Sequence, residues 1–320
     1  MKDKINNPET NKLISGLQIS DVSNAVMNSG YPLQTIVVEK LKDFNITEEW
    51  SFIDRDTKEI RNIDILAEHD LFDYENHPDT RVRPHLSLLI ECKQSIMPYI
   101  FFTSNNKPGL YDFPIYSGML GNTSIKVKTD KSRDTWTFSI NHLFGLIDHP
   151  FVQDGPDYSK VFSKCARKGK ELELSGSDSY NSVIQPLIKS MIYYRKVTSP
   201  PKTAVYFDCY MTIGLAVIDA PMIGVKVNEG ENELFFTPWV RVLRHEHDEE
   251  DSWIHKGKHF AIDIVHKDFL SSYLQDHLLP FSHEFGRLAL KHAKVLVKGK
   301  GYIKGIENKH RKLEEYLEDV

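Results

Sequence analysis

The hydrophobic pattern of residues 30–100 changes from a helical period to a β-type period. The first apolar positions recur at three- and four-residue steps, at Leu33, Ile36, Val37, Leu41 and Phe44. This spacing predicts an amphipathic helix that begins near Pro32. Short apolar runs follow at 50–53, 61–67 and 85–91, and each is typical of a strand. We therefore expect the order helix, strand, strand, strand, preceded by a polar N-terminal arm over residues 1–29.

The pattern becomes regular again after residue 177. Apolar periodicity predicts a helix over 178–195, followed by strands over 203–218, 234–244 and 260–265. Two further helices are predicted over 267–277 and 281–297, and Gly299 is a suitable left-handed cap for the last one.

Residues 103–177 have no clear period, and we interpret them as an insertion that carries a few short elements. The expected organisation is an α/β domain over 30–280 with a mixed central β-sheet flanked by helices. A basic, helical C-terminal extension over 281–320 completes the chain.

Composition narrows the class of protein. The 320 residues carry 40 Lys+Arg against 45 Asp+Glu, a formal net charge of −5, which argues against a histone-like protein coated in positive charge. The three cysteines form no CxxC pair, so a disulfide framework or a zinc ribbon is not expected. The first residues lack an apolar signal region, and Asp219 interrupts the longest apolar stretch, 212–225. We expect a soluble, cytoplasmic protein that does not enter a membrane.

Charged side chains interrupt two of the predicted strands. Asp64 lies in the apolar run 62–67, Glu91 ends the run 85–91, and Lys93 follows two residues later. Residues two apart in a strand share a face, so Glu91 and Lys93 point the same way, and Asp64 can lie beside Glu91 if the strands are neighbours. Two carboxylates and an ammonium group suit a Mg²⁺ site with open positions for water and phosphate oxygens. A surface cluster of ion pairs is the competing interpretation.

This pattern resembles the PD-(D/E)XK nuclease superfamily, which has the restriction-endonuclease-like fold. The resemblance rests on Ile63-Asp64-Ile65, on Glu91-Cys92-Lys93, and on an upstream helix that carries Glu39. It covers roughly residues 30–102, and the helix at 178–195 with the strand after it would complete the core. The usual proline before the first aspartate is Ile63 here, and no QxxxY signature follows.

The resemblance implies a DNA endonuclease that depends on Mg²⁺ or Mn²⁺. Asp64, Glu91 and Glu39 would hold the metal, and Lys93 would serve the attacking water. Gln94 would contact either the substrate or a water molecule outside the metal ligands. A bacterial role in restriction or defence is implied as well, with a homodimer or a defence-system protein open as partners. Two alternatives remain: a catalytically silent DNA-binding module or subunit of a larger defence complex, and a nuclease that acts on RNA or branched substrates.

The chain from residue 287 to 312 is strongly basic. It contains nine Lys and Arg residues and a single acid, Glu307. A phosphate-contacting surface is one interpretation, and a solvated helix face is the other. The candidate nucleic-acid contacts on this stretch are Lys291, Lys294, Lys298 and Lys300. The shorter basic run 164–170 is a second, weaker candidate.

Overall fold

The elements below come from a computed structural model, which describes residues 6–27, 29–73, 75–104, 110, 113–120, 124–129, 135–246, 258–304 and 313–318. The α-helices are α1 (Ile19–Met27), α2 (Tyr31–Lys40), α3 (Ile140–Leu143), α4 (Pro150–Gln153), α5 (Gly176–Ser179), α6 (Gln185–Val197), α7 (Leu270–Ser272), α8 (Leu279–Lys291) and α9 (Ala293–Lys298). Wider π-helical turns follow α5, at Tyr180–Ile184, and α7, at Tyr273–Leu278. Short 3₁₀ turns lie at Leu146–Asp148 and Leu313–Tyr316.

The strands divide between the first and second halves of the chain. The first half contributes β1 (Asn45–Ile53), β2 (Ile60–Asp70), β3 (Val82–Gln94), β4 (Tyr99–Ser104), β5 (Ile115–Ser117), β6 (Ser124–Thr129), β7 (Thr135–Ser139), β8 (Tyr158–Lys168) and β9 (Glu171–Ser175). The second half contributes β10 (Phe207–Asp219), β11 (Met222–Val227), β12 (Asn232–Phe236), β13 (Trp239–Glu246), β14 (Lys258–His266), β15 (Lys300–Ile303) and β16 (Leu317–Glu318).

The described strands form two sheets. The larger sheet has twelve strands in the order β1-β2-β3-β10-β14-β13-β8-β4-β11-β12, with β5 beside β10 and β9 beside β8. β1, β2 and β3 form an antiparallel meander, whereas β3, β10 and β14 run parallel. The smaller sheet has the order β16-β15-β6-β7. The protein is thus a mixed α/β protein whose large mixed sheet is flanked by helices, which confirms the coarse prediction.

Helices cover both faces of the large sheet at β2 and β3. On one face, α2 and α8 pack their apolar side chains against Ile65, Ile90 and Cys92. On the other face, α6 packs Leu187 and Met191 against Leu89 and Leu66. Burial of each large apolar side chain contributes about 1.5–3 kcal/mol. Because side chains alternate between the two faces along β3, each polar residue of this strand lies either on the side of α2 and α8 or on the side of α6.

Several predicted elements differ from those observed. The predicted strand 234–244 is two strands, β12 and β13, because Pro238 between them has no backbone N–H for a ladder. The segment 103–177 contributes more than short elements: β8 pairs with both β13 and β4 inside the large sheet. The described part of the C-terminal extension is not continuously helical: α9 ends at Lys298, and after the left-handed Gly299, with φ of 60°, the chain forms β15 and pairs with β6.

Three further findings concern the N-terminal arm, membrane-spanning helices and the cysteines. α1 in the N-terminal arm has no buried residue, as expected for a segment outside the core. Within the described ranges, every helix is too short or too polar to cross a membrane. The three cysteines are buried and form no disulfide.

Candidate functional site

Asp64 and Glu91 lie beside each other where β2 and β3 separate. The antiparallel register runs as far as Ile65 opposite Ile90, so the next positions along it are Asp64 and Glu91. Asp64 then turns its carboxylate toward the neighbouring strand and accepts a hydrogen bond from the backbone N–H of Cys92 at 2.6 Å. The two predicted acids are therefore brought together by strand pairing.

Lys93 completes this group, which we call the acidic site (Asp64, Glu91 and Lys93). Leu89, Glu91 and Lys93 share one face of β3, the face that packs against α6. The Lys93 ammonium donates a hydrogen bond to the Glu91 carboxylate. The Glu91 side chain is 8% exposed and that of Lys93 is 28% exposed, so this ion pair is held at the rim of the core.

Burial dominates the electrostatics of the acidic site. It raises the pKa of Glu91 to about 7, an effect that Lys93 opposes and the nearby Asp64 strengthens. Burial also raises the pKa of Asp64, although the Cys92 N–H and Lys93 favour its charged form. Two carboxylates in this environment keep both negative charges more easily when a cation lies between them.

β1 contributes an acid that the sequence pattern did not reveal. Glu49 lies between Glu48 and Trp50, which pair with Ile65 and Ile63, so it falls opposite Asp64. Its φ of 51° is in the left-handed region, an uncommon conformation for a residue with a side chain. Glu49 is close enough to raise the pKa of both Asp64 and Glu91. A positive φ in the middle of a strand leaves no signature in the amino-acid pattern.

The helix residue that reaches the acidic site is Gln34 rather than Glu39. Gln34 is buried, and its side-chain amide donates to the backbone carbonyl of Asp64 at 3.1 Å and to the Glu48 carboxylate at 3.2 Å. Glu39 follows five residues later, roughly 140° around the helix, and is exposed. The structure therefore does not bring Glu39 to Asp64 and Glu91. The helical spacing of Gln34 with Leu33 and Val37 was the available signal for its burial.

Three of the four lysines predicted to contact nucleic acid line a groove that is separate from the acidic site. Lys291, Lys294 and Lys298 line a groove of about 960 Å³ between α8–α9 and residues 76–81. We call this the basic groove; its cations are Arg81, Arg287, Lys291, Lys294 and Lys298. Arg287 forms an ion pair with Glu284, and Lys291 forms one with Glu314. Lys300 begins β15 and is not among the residues that line the groove, and residues 305–312 lie outside the described residues.

The acidic site suits a divalent metal that keeps open coordination positions. Mg²⁺ is commonly bound by one or two carboxylates, with waters and substrate phosphate as its remaining ligands. Asp64 and Glu91 supply such a pair. Among the described residues, no group of three or more His, Cys, Asp and Glu is arranged to hold a metal by itself. Any metal here would therefore depend on water and phosphate oxygens.

Comparison with known proteins adds no relative. No protein-family model, curated protein or solved structure matches the chain. The acidic site therefore has to be interpreted from its own geometry and from the sequence pattern.

Proposed function

We propose that this chain is a metal-dependent nuclease that hydrolyses phosphodiester bonds in DNA, with the restriction-endonuclease-like fold of the PD-(D/E)XK superfamily. The observation that carries the proposal is that Asp64 and Glu91 lie next to each other on adjacent strands, one position beyond the pair Ile65 and Ile90, with Lys93 hydrogen-bonded to Glu91. Surface ion pairs need no such burial, and they contribute little to stability. The arrangement is better explained by a catalytic role for these residues, at the place where β2 and β3 separate.

Each residue of the acidic site would have a distinct role. Asp64 and Glu91 would hold Mg²⁺ or Mn²⁺ through their carboxylate oxygens, and the Cys92 N–H keeps Asp64 oriented. The bound metal would polarise the phosphate and lower the pKa of a water molecule. Lys93 would orient the attacking water and stabilise negative charge on the phosphate oxygens. We assign no role to Glu39, because it lies on another face of α2.

The biological setting follows only from the sequence resemblance. We propose a role in restriction or defence against foreign DNA in a bacterial cytoplasm, acting as a homodimer or with a partner protein. The acidic site itself supports the reaction type and not the setting.

The test is incubation of the purified protein with plasmid and linear DNA in Mg²⁺, Mn²⁺ or EDTA. We expect cleavage that needs the metal and is lost in Lys93→Ala. Lys128→Ala is the matched control, because it removes an exposed lysine from β6 in the smaller sheet. Metal-dependent cleavage that survives in Lys93→Ala would contradict the assignment.

A silent DNA-binding module is the second candidate function. It is favoured by the basic groove, where Arg81, Lys294 and Lys298 line a surface suited to phosphate contacts away from the acidic site. Folded protein that binds DNA in a salt-dependent manner, without cleaving it in either metal, would support this alternative. Cleavage of RNA alone would instead change the substrate while keeping the chemistry.

A further inference from the structure

A cleft of about 700 Å³ opens directly beside Lys93. Its volume lies within the range of roughly 300–1,000 Å³ that is typical of ligand pockets. Lys93 and Gln94 at the end of β3 form one side of the cleft, and β4, β8 and β9 supply another. The cleft is therefore lined both by residues before 103 and by residues of the segment 103–177, which the sequence analysis interpreted as an insertion. The sequence pattern did not predict that these two parts of the chain meet.

Lys164 is the cation on that wall. It pairs with Tyr99 of β4 on one side and with Ser175 of β9 on the other, so these three residues form a row across adjacent strands. The Lys164 ammonium lies 5.8 Å from the centre of the Tyr99 ring, a cation–π arrangement that restrains the side chain without neutralising it. No carboxylate of the described residues lies within ion-pair distance of this partly buried ammonium.

The remaining wall comes from the helical segment that follows β9. Asn181 and Ser182 line the cleft from the π-helical turn Tyr180–Ile184, and turns of this kind are frequent at functional sites. Asp178 is the carboxylate on this wall, and the Ser175 hydroxyl donates a hydrogen bond to it. The cleft therefore combines the ammonium groups of Lys93 and Lys164 with amide and hydroxyl groups and with one carboxylate, Asp178.

We propose that this cleft binds the substrate strand beside the scissile bond, and that Lys164 contacts a backbone phosphate that flanks it. The inference rests on the proposed nuclease function. A compact ammonium group that has no acidic partner among the described residues is suited to bind a phosphate oxygen by a charge-assisted hydrogen bond. Gln94 and Asn181 add amide groups that donate to phosphate or sugar oxygens. Lys164 is a substrate-binding residue in this arrangement, and Lys93 remains the residue that serves the water.

The test measures binding and cleavage separately. Binding of a fluorescent DNA duplex is followed by anisotropy in EDTA, in the Lys93→Ala background, over a range of salt concentrations. Lys164→Ala should weaken binding about 10- to 100-fold, the range expected for one charge-assisted hydrogen bond, and reduce the salt slope by about 1. Lys164→Arg should restore most of the affinity. Lys168→Ala is the matched control, because Lys168 lies on the same strand, is 75% exposed and pairs with Glu173.

The position of the contact is tested with neutral methylphosphonates placed one at a time along the substrate strand. One methylphosphonate next to the scissile bond should weaken DNA binding by protein that keeps Lys164. The same methylphosphonate should not weaken binding by Lys164→Ala any further. Equal losses in both forms at every position would overturn the proposal. So would Lys164→Ala that binds and cleaves like Lys168→Ala.

Failure of the nuclease proposal is seen independently of this inference. If the unsubstituted protein cleaves nothing, the nuclease proposal fails, and the binding assay still decides whether Lys164 contacts phosphate. Loss of affinity in Lys164→Ala with recovery in Lys164→Arg would uphold the contact. Unchanged affinity in Lys164→Ala would reject it.

Discussion

The acidic site and the basic groove are built in different ways. The acidic site uses neighbouring strands: the paired residues Ile65 and Ile90 hold the adjacent Asp64 and Glu91 beside each other, and Glu91 is buried. The basic groove uses long, exposed side chains from α8–α9 and from residues 76–81, and some of its cations already have acidic partners. A reaction needs reacting groups at fixed positions, whereas attraction of a polyanion needs only a local excess of positive charge. The contrast supports chemistry at the first region and binding alone at the second.

The two regions also lie far apart. Arg81 precedes β3 and Glu91 follows ten residues later, which is roughly 33 Å along an extended strand. The groove lies on the side of α8, while Glu91 and Lys93 face α6. A nucleic acid seated in the groove would have to pass from one face of the sheet to the other to reach the acidic site, so the two contacts can be tested separately.

The largest effect is expected from Asp64→Asn. This change keeps the shape of the side chain and removes a negative charge from the acidic site. Since metal-assisted stabilisation of a transition state is worth several kcal/mol, the rate of DNA cleavage should fall by about 10³-fold or more. Initial rates in Mg²⁺ measure the loss, and DNA affinity in EDTA should change little. Normal DNA cleavage by Asp64→Asn would contradict the assignment of the reaction to the acidic site, and with it the contrast with the basic groove.

The next largest effect is expected from pH, which should change the stability of the protein in opposite directions through Glu91 and through Glu314. Burial, strengthened by Asp64, raises the pKa of Glu91 from 4.5 to about 7, so metal-free protein should lose stability as pH rises through this interval. The loss is on the order of 3 kcal/mol. Burial alone would raise the pKa of Glu314, but hydrogen bonds from Lys291 and His292 lower it overall. The stability that Glu314 contributes is therefore lost as pH falls below about 4.5.

Thermal denaturation in EDTA between pH 4 and 8 checks both signs. Glu91→Gln should flatten the decline in melting temperature above pH 5, and Glu314→Gln should reduce the decline at the acid end. Identical pH profiles for the unsubstituted protein and both variants would mean that neither carboxyl group titrates as the structure indicates.

The smallest effect is expected in the basic groove. Replacing Lys294 and Lys298 together by Ala should reduce the salt slope for binding of long DNA by about 2, because each contact with a phosphate releases about one counterion. Cleavage of a short duplex should stay unchanged, since the groove lies away from the acidic site. The matched control replaces Lys196 and Lys202, two exposed lysines at and beyond the end of α6. A loss of short-duplex cleavage in the groove variant would show that the two regions act as one.

The sequence predicted the elements whose signals are local. The helix at Pro32, the strands of Asp64 and Glu91, and the left-handed cap at Gly299 follow from periodicity and residue type alone. Strand β8 was missed because its partners β4 and β13 lie at distant positions along the chain, and its own pattern is not regular.

Within the acidic site, too, the residues with a local sequence signal could be predicted, whereas those placed by contacts between distant parts of the chain could not. Asp64, Glu91 and Lys93 stand out as charges in apolar strands. Glu49 is brought near them by a left-handed backbone conformation, and Gln34 is selected over Glu39 by the helix face that meets β2. The spacing of Gln34 with Leu33 and Val37 indicates that it is buried, but its contact with Asp64 depends on tertiary packing, as does the position of Glu49.

The pairing of β3 with β10 has a consequence for synthesis of the protein. Val82 pairs with Phe207, so the partner of β3 is made 125 residues later. At about 5–20 residues per second, a nascent chain would carry β3 with an open, apolar edge for roughly 6–25 s. Asp64, Glu91 and Lys93 all belong to the earlier β2–β3 pair, so their strands can meet on the ribosome before the shielding strand exists. We expect this interval to be the time when the chain is most prone to aggregation and most dependent on chaperones.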